Sequence, residues 1–324
     1  MEDINQFISI IIPVFNESES IAYLLEEVKS VMEVNELNYE LIIVNDGSED
    51  NTHTVLNKLT KNIKELLVIS LRKNYGQTAA MAAGFDISRG DIVITLDGDL
   101  QNDPNDIPKL ISEINTGYDL ICGWRFNRKD KLINRRIPSK IANKLIAKVT
   151  GLKLHDYGCS LKAFKKEIID DVKLYGELHR FLPILASIEG ARIKEVKVNH
   201  RSRKYGSSKY GIDRTFRVLM DLLTVWFMTR FLTRPMYGFG FVGIISILIS
   251  LLMSSYLFLE KTLGRDIGNR PMLMFVLILG VAGVQLFSFG LLSELLMRTY
   301  HESQKRPIYR VRTIQGAINN DNFT

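Results

Sequence analysis

The sequence predicts an α/β domain with a mostly parallel, doubly wound sheet, followed by two membrane-spanning helices. Strand-length apolar runs alternate with helix-length segments over short links from Phe7 to Leu100, the pattern of successive βαβ units. The strand runs end in polar loops, Asn16-Glu17-Ser18-Glu19, Asn45-Asp46-Gly47-Ser48, Asn74-Tyr75-Gly76-Gln77 and Asp97-Gly98-Asp99-Leu100-Gln101. Such loops share the carboxyl edge of the sheet, where open α/β sheets bind ligands. Residues 237–259 and 271–293 contain no charged side chain, and each run is long enough as a helix to cover about 30 Å of hydrocarbon.

Taken in order, Ile8 to Val14 forms the first strand, closed by Pro13. The acidic Met1-Glu2-Asp3 start and the shortness of this apolar run are unlike a signal peptide. Asn16 with Glu19 three residues on has capping-box spacing and is expected to open a helix running to Val34. Leu41 to Val44 is a second buried strand, then a helix to Asn62, a strand from Leu67 to Leu71 and an Ala-rich helix to Ile87. Ile92 begins the strand that ends at the two carboxylates.

If the backbone stays near-extended, Asp97 and Asp99 turn the same way and Gln101 follows. Two carboxylates so close repel unless a cation lies between them, and oxygen ligands suit Mg²⁺ or Mn²⁺. Asp-Gly is equally a turn signal, so these residues alone leave both readings open. Asp46 is positioned to accept from a base or ribose, while Asp-Gly-Ser after a strand is also ordinary turn chemistry. Neither a dinucleotide fingerprint nor a nucleoside-triphosphatase loop is present, so diphosphate binding falls to metal and side chains.

Farther on, 131–151 carries an apolar stripe of Ile141, Ala142, Leu145, Ile146 and Val149 beside Lys140, Lys144 and Lys148. This pattern suits a helix in the headgroup region and also an ordinary surface helix. Residues 211–234 repeat the pattern, with Trp226 suited to an interfacial anchor. The segment His200 to Tyr210, rich in Arg, Lys, Gly and Ser, fits either a phosphate-closing loop or a solvated basic loop.

The chain has 324 residues, with 42 Lys plus Arg against 36 Asp plus Glu, a formal +6. That excess suits phosphorylated ligands or an anionic membrane surface. Nucleic acid is not an expected partner, because the basic residues flank apolar stripes instead of aromatic stacking platforms. Cys122 and Cys159 are the only cysteines, which points to a reducing compartment without a disulfide framework. Basic residues flank both spans, favouring a cytoplasmic domain, although Lys261, Arg265 and Arg270 lie between them.

In the order and spacing of its motifs the chain resembles the polyprenyl-phosphate branch of family 2 glycosyltransferases, the dolichol-phosphate mannose synthase type. The motifs are Pro13-Val14-Phe15-Asn16-Glu17, Asp46-Gly47-Ser48, Asn74-Tyr75-Gly76-Gln77, Asp97-Gly98-Asp99-Leu100-Gln101, Asp156 with Gly158-Cys159, and Arg203 with Gly206, Ser208 and Lys209. They are most similar to bacterial undecaprenyl-phosphate aminoarabinose (formamido-arabinose) transferases. The resemblance covers essentially the whole chain. It implies a GT-A nucleotide-binding fold, Mg²⁺ or Mn²⁺, a nucleotide-sugar donor, a polyprenyl phosphate acceptor, contact with membrane lipid and a homo-oligomer, a tetramer in the family.

Carried over by position, Asp97, Asp99, Asp156 and Arg203 are implied to be catalytic, and Asp97, Asp99 and Gln101 to face the metal. Pro13, Asn16, Glu17, Asp46, Lys73, Gln101, Arg125, Arg128, Ser208 and Lys209 are implied to bind substrates. The pattern usually has alanine at Gly98, proline or histidine at Asp103, and Ser-Arg at Arg72-Lys73; Gly98 is thereby expected to loosen the acid pair. The expected organisation is a cytoplasmic GT-A domain at 1–210, a juxtamembrane helix at 211–234, two spans within 235–298 and a cytoplasmic tail at 299–324, in the cell inner membrane. Two alternatives are other enzymes of membrane polysaccharide assembly and a non-catalytic membrane adaptor. The Gln-x-x-Arg-Trp motif of processive synthases is absent, and the acid pair and basic loop that an adaptor would have lost are present.

Overall fold

The computed structural model describes residues 6–126, 143, 146, 147, 150–172, 174, 178–202, 235–303 and 311–315. The chain divides into two compact units, Met1–Leu222 with Pro307–Thr324, and Leu223–Arg306. The expected helices at 131–151 and 211–234 lie almost wholly outside the described residues.

The first unit holds strands β1 (Phe7–Val14), β2 (Asn38–Asn45), β3 (Leu66–Leu71), β4 (Ile92–Thr95), β5 (Leu120–Arg125), β6 (Lys162–Lys165), β7 (Ile193–Val198) and β8 (Val311–Gln315). Its described helices are α1 (Ile21–Val34), α2 (Thr52–Leu59), α3 (Gln77–Ile87), α4 (Ile107–Asn115), α5 (Lys166–Asp171) and α6 (Leu182–Ile188). The strands form one sheet in the order β7-β5-β6-β4-β1-β2-β3-β8. β6 runs against β4 and β5, and β8 against β3; the other pairings are parallel.

The parallel strands β1 to β4 are buried on both faces. Ile8, Ile10, Ile11 and Ile12 of β1 and Leu41 through Val44 of β2 have no exposed surface, so continuous β-branched runs replace alternation. Ile21, Leu24, Leu25, Val28 and Met32 bury one stripe of α1 in the same core as Ile8, Ile10 and Ile12. From β1 the chain proceeds outward through β2 and β3, then returns to place β4 on the other side of β1. The switch point between β1 and β4 opens the crevice predicted from the loops. β1–β4 pairing ends at Ile11–Thr95, so Pro13, which has no N–H to give, lies just beyond that ladder.

Three local features differ from expectation. No Asn16–Glu19 capping box forms: α1 starts at Ile21 behind Ser20, Asn16 is left-handed with φ 54°, and Glu19 is exposed. The Asn16 side chain instead reaches across to the β2–α2 loop. The acids are not on extended backbone either; the chain turns at Gly98-Asp99, and Leu100 has φ 61°. Finally, the tail contains β8, which the sequence does not announce. It pairs Ile314 with Ile69 and covers the edge of β3, sparing an exposed strand edge.

The second unit is a helical hairpin, α7 (Pro235–Thr262) and α8 (Pro271–Ser303). Gly238–Thr262 and Pro271–Ser293 are long and apolar enough to cross a membrane. Phe241, Leu252, Phe258, Phe275, Ile278 and Phe289 are exposed, unlike the side chains of a soluble core hairpin. Gly243 and Gly283 let the backbones approach: a Cβ at Gly243 would lie 2.8 Å from Gly283 O. Ser250 Oγ donates across the hairpin to Val276 O at 2.9 Å.

Candidate active site

The carboxyl ends of β1, β2 and β4 converge through side-chain to backbone bonds. Asn16 N–H donates to Ser48 Oγ (2.9 Å), and Asn16 Oδ1 accepts from Glu49 N–H (2.8 Å). Glu17 N–H donates to Thr52 Oγ1 at 2.9 Å. Asp46 Oδ1 and Oδ2 accept from the Tyr75 and Gly76 N–H groups at 2.7 and 2.9 Å. Burial raises the Asp46 pKa, and those two bonds oppose the rise. Gly47 allows the close approach: at φ 66° a Cβ there would lie 2.4 Å from the Lys73 carbonyl carbon.

The next residue in the third loop reaches the acid pair. Gln77, the first residue of α3, donates from Nε2 to Asp97 Oδ1 at 2.8 Å. Tyr75, Gly76 and Gln77 thus bridge the two acidic loops, which gives the Asn-Tyr-Gly-Gln motif a physical reason. Lys73 Nζ lies 5.2 Å from the centre of the Tyr75 ring, within cation–π range.

Burial and then the adjacent Asp99 charge push the Asp97 pKa up, while a Ser160 bond and the Arg125 and Lys162 charges oppose the rise. Asp99 is buried and accepts the Gln101 N–H at 3.2 Å. Their turn is anchored by Ser20, whose hydroxyl is shared between Gly98 O (2.9 Å) and Glu17 Oε2 (2.8 Å). On the other side Asn102 Oδ1 accepts from Ser160 Oγ at 2.8 Å. A Cβ at Gly98 would come within 2.8 Å of Val14 Cγ1, so the glycine lets this anchored turn sit against β1.

On the β5 side, Arg125 Nε and Nη2 donate to Asp156 Oδ2 and Oδ1 at 2.7 and 2.9 Å, a two-bond pair with little exposed surface. Burial opposes the Arg125 charge, but Asp156 outweighs it and holds the Arg125 pKa above its ordinary value. Asp156 N–H donates to Glu195 at 2.9 Å. Both residues therefore have a structural duty toward each other. Arg128, Arg203, Ser208 and Lys209 lie outside the described residues.

Sequence reasoning missed two groups. Lys162, buried at the start of β6, donates to Cys159 O; its signal was a lone charge in the run Leu161-Lys162-Ala163-Phe164. Buried His179 lies 2.7 Å from Thr78 Oγ1, one residue past Gln77. Among the described residues no group of three His, Cys, Asp or Glu side chains forms a metal cluster. Any ion at Asp97 and Asp99 must complete its shell with other oxygens, and Gln101, two residues past Asp99, carries one.

The glycosyl transferase family 2 model matches residues 9–173. Over 312 residues the chain is 46% identical to a dodecaprenyl-phosphate galacturonate synthase of Rhizobium johnstonii, covering 95% of this chain and 92% of that one. It is 37% identical over 321 residues to an undecaprenyl-phosphate 4-deoxy-4-formamido-L-arabinose transferase of Proteus mirabilis, covering 98% and 96%. Among solved structures, glucosyl-3-phosphoglycerate synthase of Mycobacterium tuberculosis, with Mn²⁺ and UDP-glucose, has the same fold. The TM-score is 0.54 at 18% identity over 69% of this chain and 79% of that one.

Proposed function

This chain belongs to glycosyl transferase family 2 and is a glycosyltransferase, and we propose that it moves a sugar from a UDP-sugar to a polyprenyl phosphate, giving a lipid-linked monosaccharide. One observation carries this reading: the likeness to polyprenyl-phosphate sugar transferases runs through the crevice strands and both apolar helices. The galacturonate synthase shares more identity with this chain than the formamido-arabinose transferase does. A UDP-linked hexuronate is therefore the first donor to test.

In this reading Asp46 and the Asn74–Gln77 loop receive the nucleoside, while Pro13, Asn16 and Glu17 shape the floor between β1 and β2. Lys73, Arg125, Arg128, Arg203, Ser208 and Lys209 serve the phosphates, with Arg125 also orienting Asp156. Asp97 and Asp99 fit a divalent cation, because burial and mutual repulsion raise the Asp97 pKa and a cation relieves the repulsion. Those two carboxylates with Gln101 would hold Mg²⁺ or Mn²⁺, which when bound neutralises charge on the departing diphosphate.

The acceptor needs no strong base, since a phosphomonoester with a second pKa of about 6 is largely ionised at neutral pH. Its oxygen forms a bond to the anomeric carbon as the bond from that carbon to the UDP oxygen breaks, inverting the centre. The protein contributes alignment and charge stabilisation.

We assign the chain to the cell inner membrane with two spans and a cytoplasmic catalytic unit. β8 follows the hairpin yet belongs to the same sheet as β1–β7, which supports an even number of crossings between them. A homo-tetramer is the assembly proposed, to be checked by light scattering of the purified protein. The function is tested by incubating purified full chain with undecaprenyl phosphate, divalent cation and a panel of UDP-sugars. A single sugar on the lipid is expected; UDP binding without product from any donor would favour the adaptor, and a polymer would favour a polysaccharide synthase.

A further inference from the structure

The residues leading into the basic segment at 203–210 are stitched onto the acid loop. Arg201 N–H donates to Gln101 O at 2.9 Å, and His200 and Asn102 form an isolated antiparallel bridge. The Arg201 side chain then divides its fork: Nη1 donates to Glu27 Oε2 at 2.6 Å, and Nη2 to Asp103 Oδ1 at 2.8 Å. Glu27 lies on α1, whose preceding residue Ser20 holds Gly98 O. Asp103 opens the short turn Pro104–Asp106 and accepts the Asn105 N–H at 3.1 Å.

One guanidinium thus joins α1, the residues just after the acid pair, and the chain two residues before Arg203. Its charge is less than a third exposed. The planar fork reaches the two carboxylates from two nitrogens held apart in fixed geometry, whereas an ammonium would have to reach both from one nitrogen on a shorter stem. Asp103 is also where the chain departs from the usual motif, and the departure supplies one of the two acceptors.

We propose that Arg201 is a positioning residue that fixes the end of the acid loop, Gln101 to Asp103, against α1 through Asp103 and Glu27. The inference rests on the transferase reading above. It assigns Arg201 no contact with substrate: its action passes through Gln101, whose carbonyl accepts the Arg201 N–H. Misplacement of about 1 Å at a reacting group costs roughly a hundredfold, so the effect should appear in turnover while the nucleotide site, built from the β1, β2 and β3 loops, stays intact.

The test uses full-length protein in nanodiscs, with initial rates of lipid-linked sugar formation and UDP binding by calorimetry. Arg201→Ala and Arg201→Lys should each lower kcat about tenfold or more, with donor KM within about threefold and UDP stoichiometry unchanged. Because Arg201→Ala leaves two carboxylates facing each other, the charge-free triple variant Glu27→Gln, Asp103→Asn and Arg201→Gln is measured beside it and should show the same kcat loss. In a double-mutant cycle, Asp103→Asn should lower kcat in the parent and cause no further loss in the Arg201→Ala background, where it relieves the repulsion from Glu27. Parent-like kcat in either Arg201 variant, losses that track UDP stoichiometry, or additive losses in the cycle would overturn the proposal. Should the parent bind UDP and form no lipid-linked sugar from any donor, the transferase reading falls, and this inference with it.

Discussion

Replacing Asp156 by Asn separates a residue that acts on substrate from one that holds a neighbour. Asp156 is almost fully buried and Arg125 nearly so, and two bonds of 2.7 and 2.9 Å join them. Asn keeps the volume but gives one acceptor oxygen where there were two, and leaves a buried guanidinium without its countercharge. Breaking a buried pair from one side costs about 3–5 kcal/mol. For a domain of this size each kcal/mol moves the midpoint by about 2–4 °C, so the expected fall in Tm is about 6–20 °C. Thermal unfolding in detergent, followed by tryptophan fluorescence, measures it beside the initial transfer rate of the folded fraction. Asp156→Asn with Arg125→Met, an apolar side chain of similar length, should recover much of the lost Tm, because no charge is then stranded. A single variant that melts within 2 °C of the parent while losing a hundredfold in kcat would refute the argument and make Asp156 a substrate contact.

Asp99→Asn should leave folding intact and lower transfer below about a tenth of the parent at saturating Mg²⁺ or Mn²⁺, since losing a catalytic ligand costs several kcal/mol; higher residual activity would remove the metal assignment. Gly47→Ala should weaken UDP binding in calorimetry at least about tenfold, because its Cβ would lie 2.4 Å from the Lys73 carbonyl carbon and the Asp46 clamp must shift. Gly283→Leu should destabilise the hairpin by about 1–3 kcal/mol, seen as earlier thermal aggregation, because its Cβ would lie 2.8 Å from Ile247 Cγ1 and 3.0 Å from Gly243 O. Bonds from Arg192, then Lys165, hold the Asp119 pKa below its ordinary value; the stabilisation is therefore full above about pH 4 and is lost as pH falls through the lower folded value. The Tm gap between parent and Asp119→Asn should accordingly be present at pH 7 and narrow below pH 4.

The strands were legible because β1 to β4 are buried on both faces, which forces continuous runs such as Ile8-Ser9-Ile10-Ile11-Ile12. Convergence of the loops followed from direction alone, since parallel strands put their carboxyl ends on one edge. What stayed hidden depends on partners far along the chain. Asn16 has capping spacing to Glu19, but bonds to a loop more than thirty residues away select its left-handed backbone instead. Leu100 takes φ 61° because the turn is pinned at Gly98 by Ser20 and at Asn102 by Ser160. β8 is five residues, three of them β-branched, too short to stand out as a strand until they pair with the open edge of β3. Arg201 reads as one more charge in a basic run until Glu27 and Asp103 stand on either side of it.

These hidden contacts also explain how the crevice tolerates its own charge. Asp46, Asp97, Asp99 and Asp156 face a region that, in the proposed reaction, must accept a diphosphate and a lipid phosphate, and bare carboxylates would repel both. Three of these acids are restrained by neighbouring groups. Asp46 is held by two backbone N–H groups, which add hydrogen bonds without adding a cation. Asp156 is matched by Arg125, and Asp97 feels both Arg125 and Lys162 while bonding to the neutral amide of Gln77. Among these groups the fixed cations lie on β5 and β6, whereas neutral donors serve the β2 and β3 loops. The arrangement leaves the acid pair at β4 as the place where repulsion is relieved by what binds, with Arg125 and Lys162 supplying fixed positive charge where β5 ends.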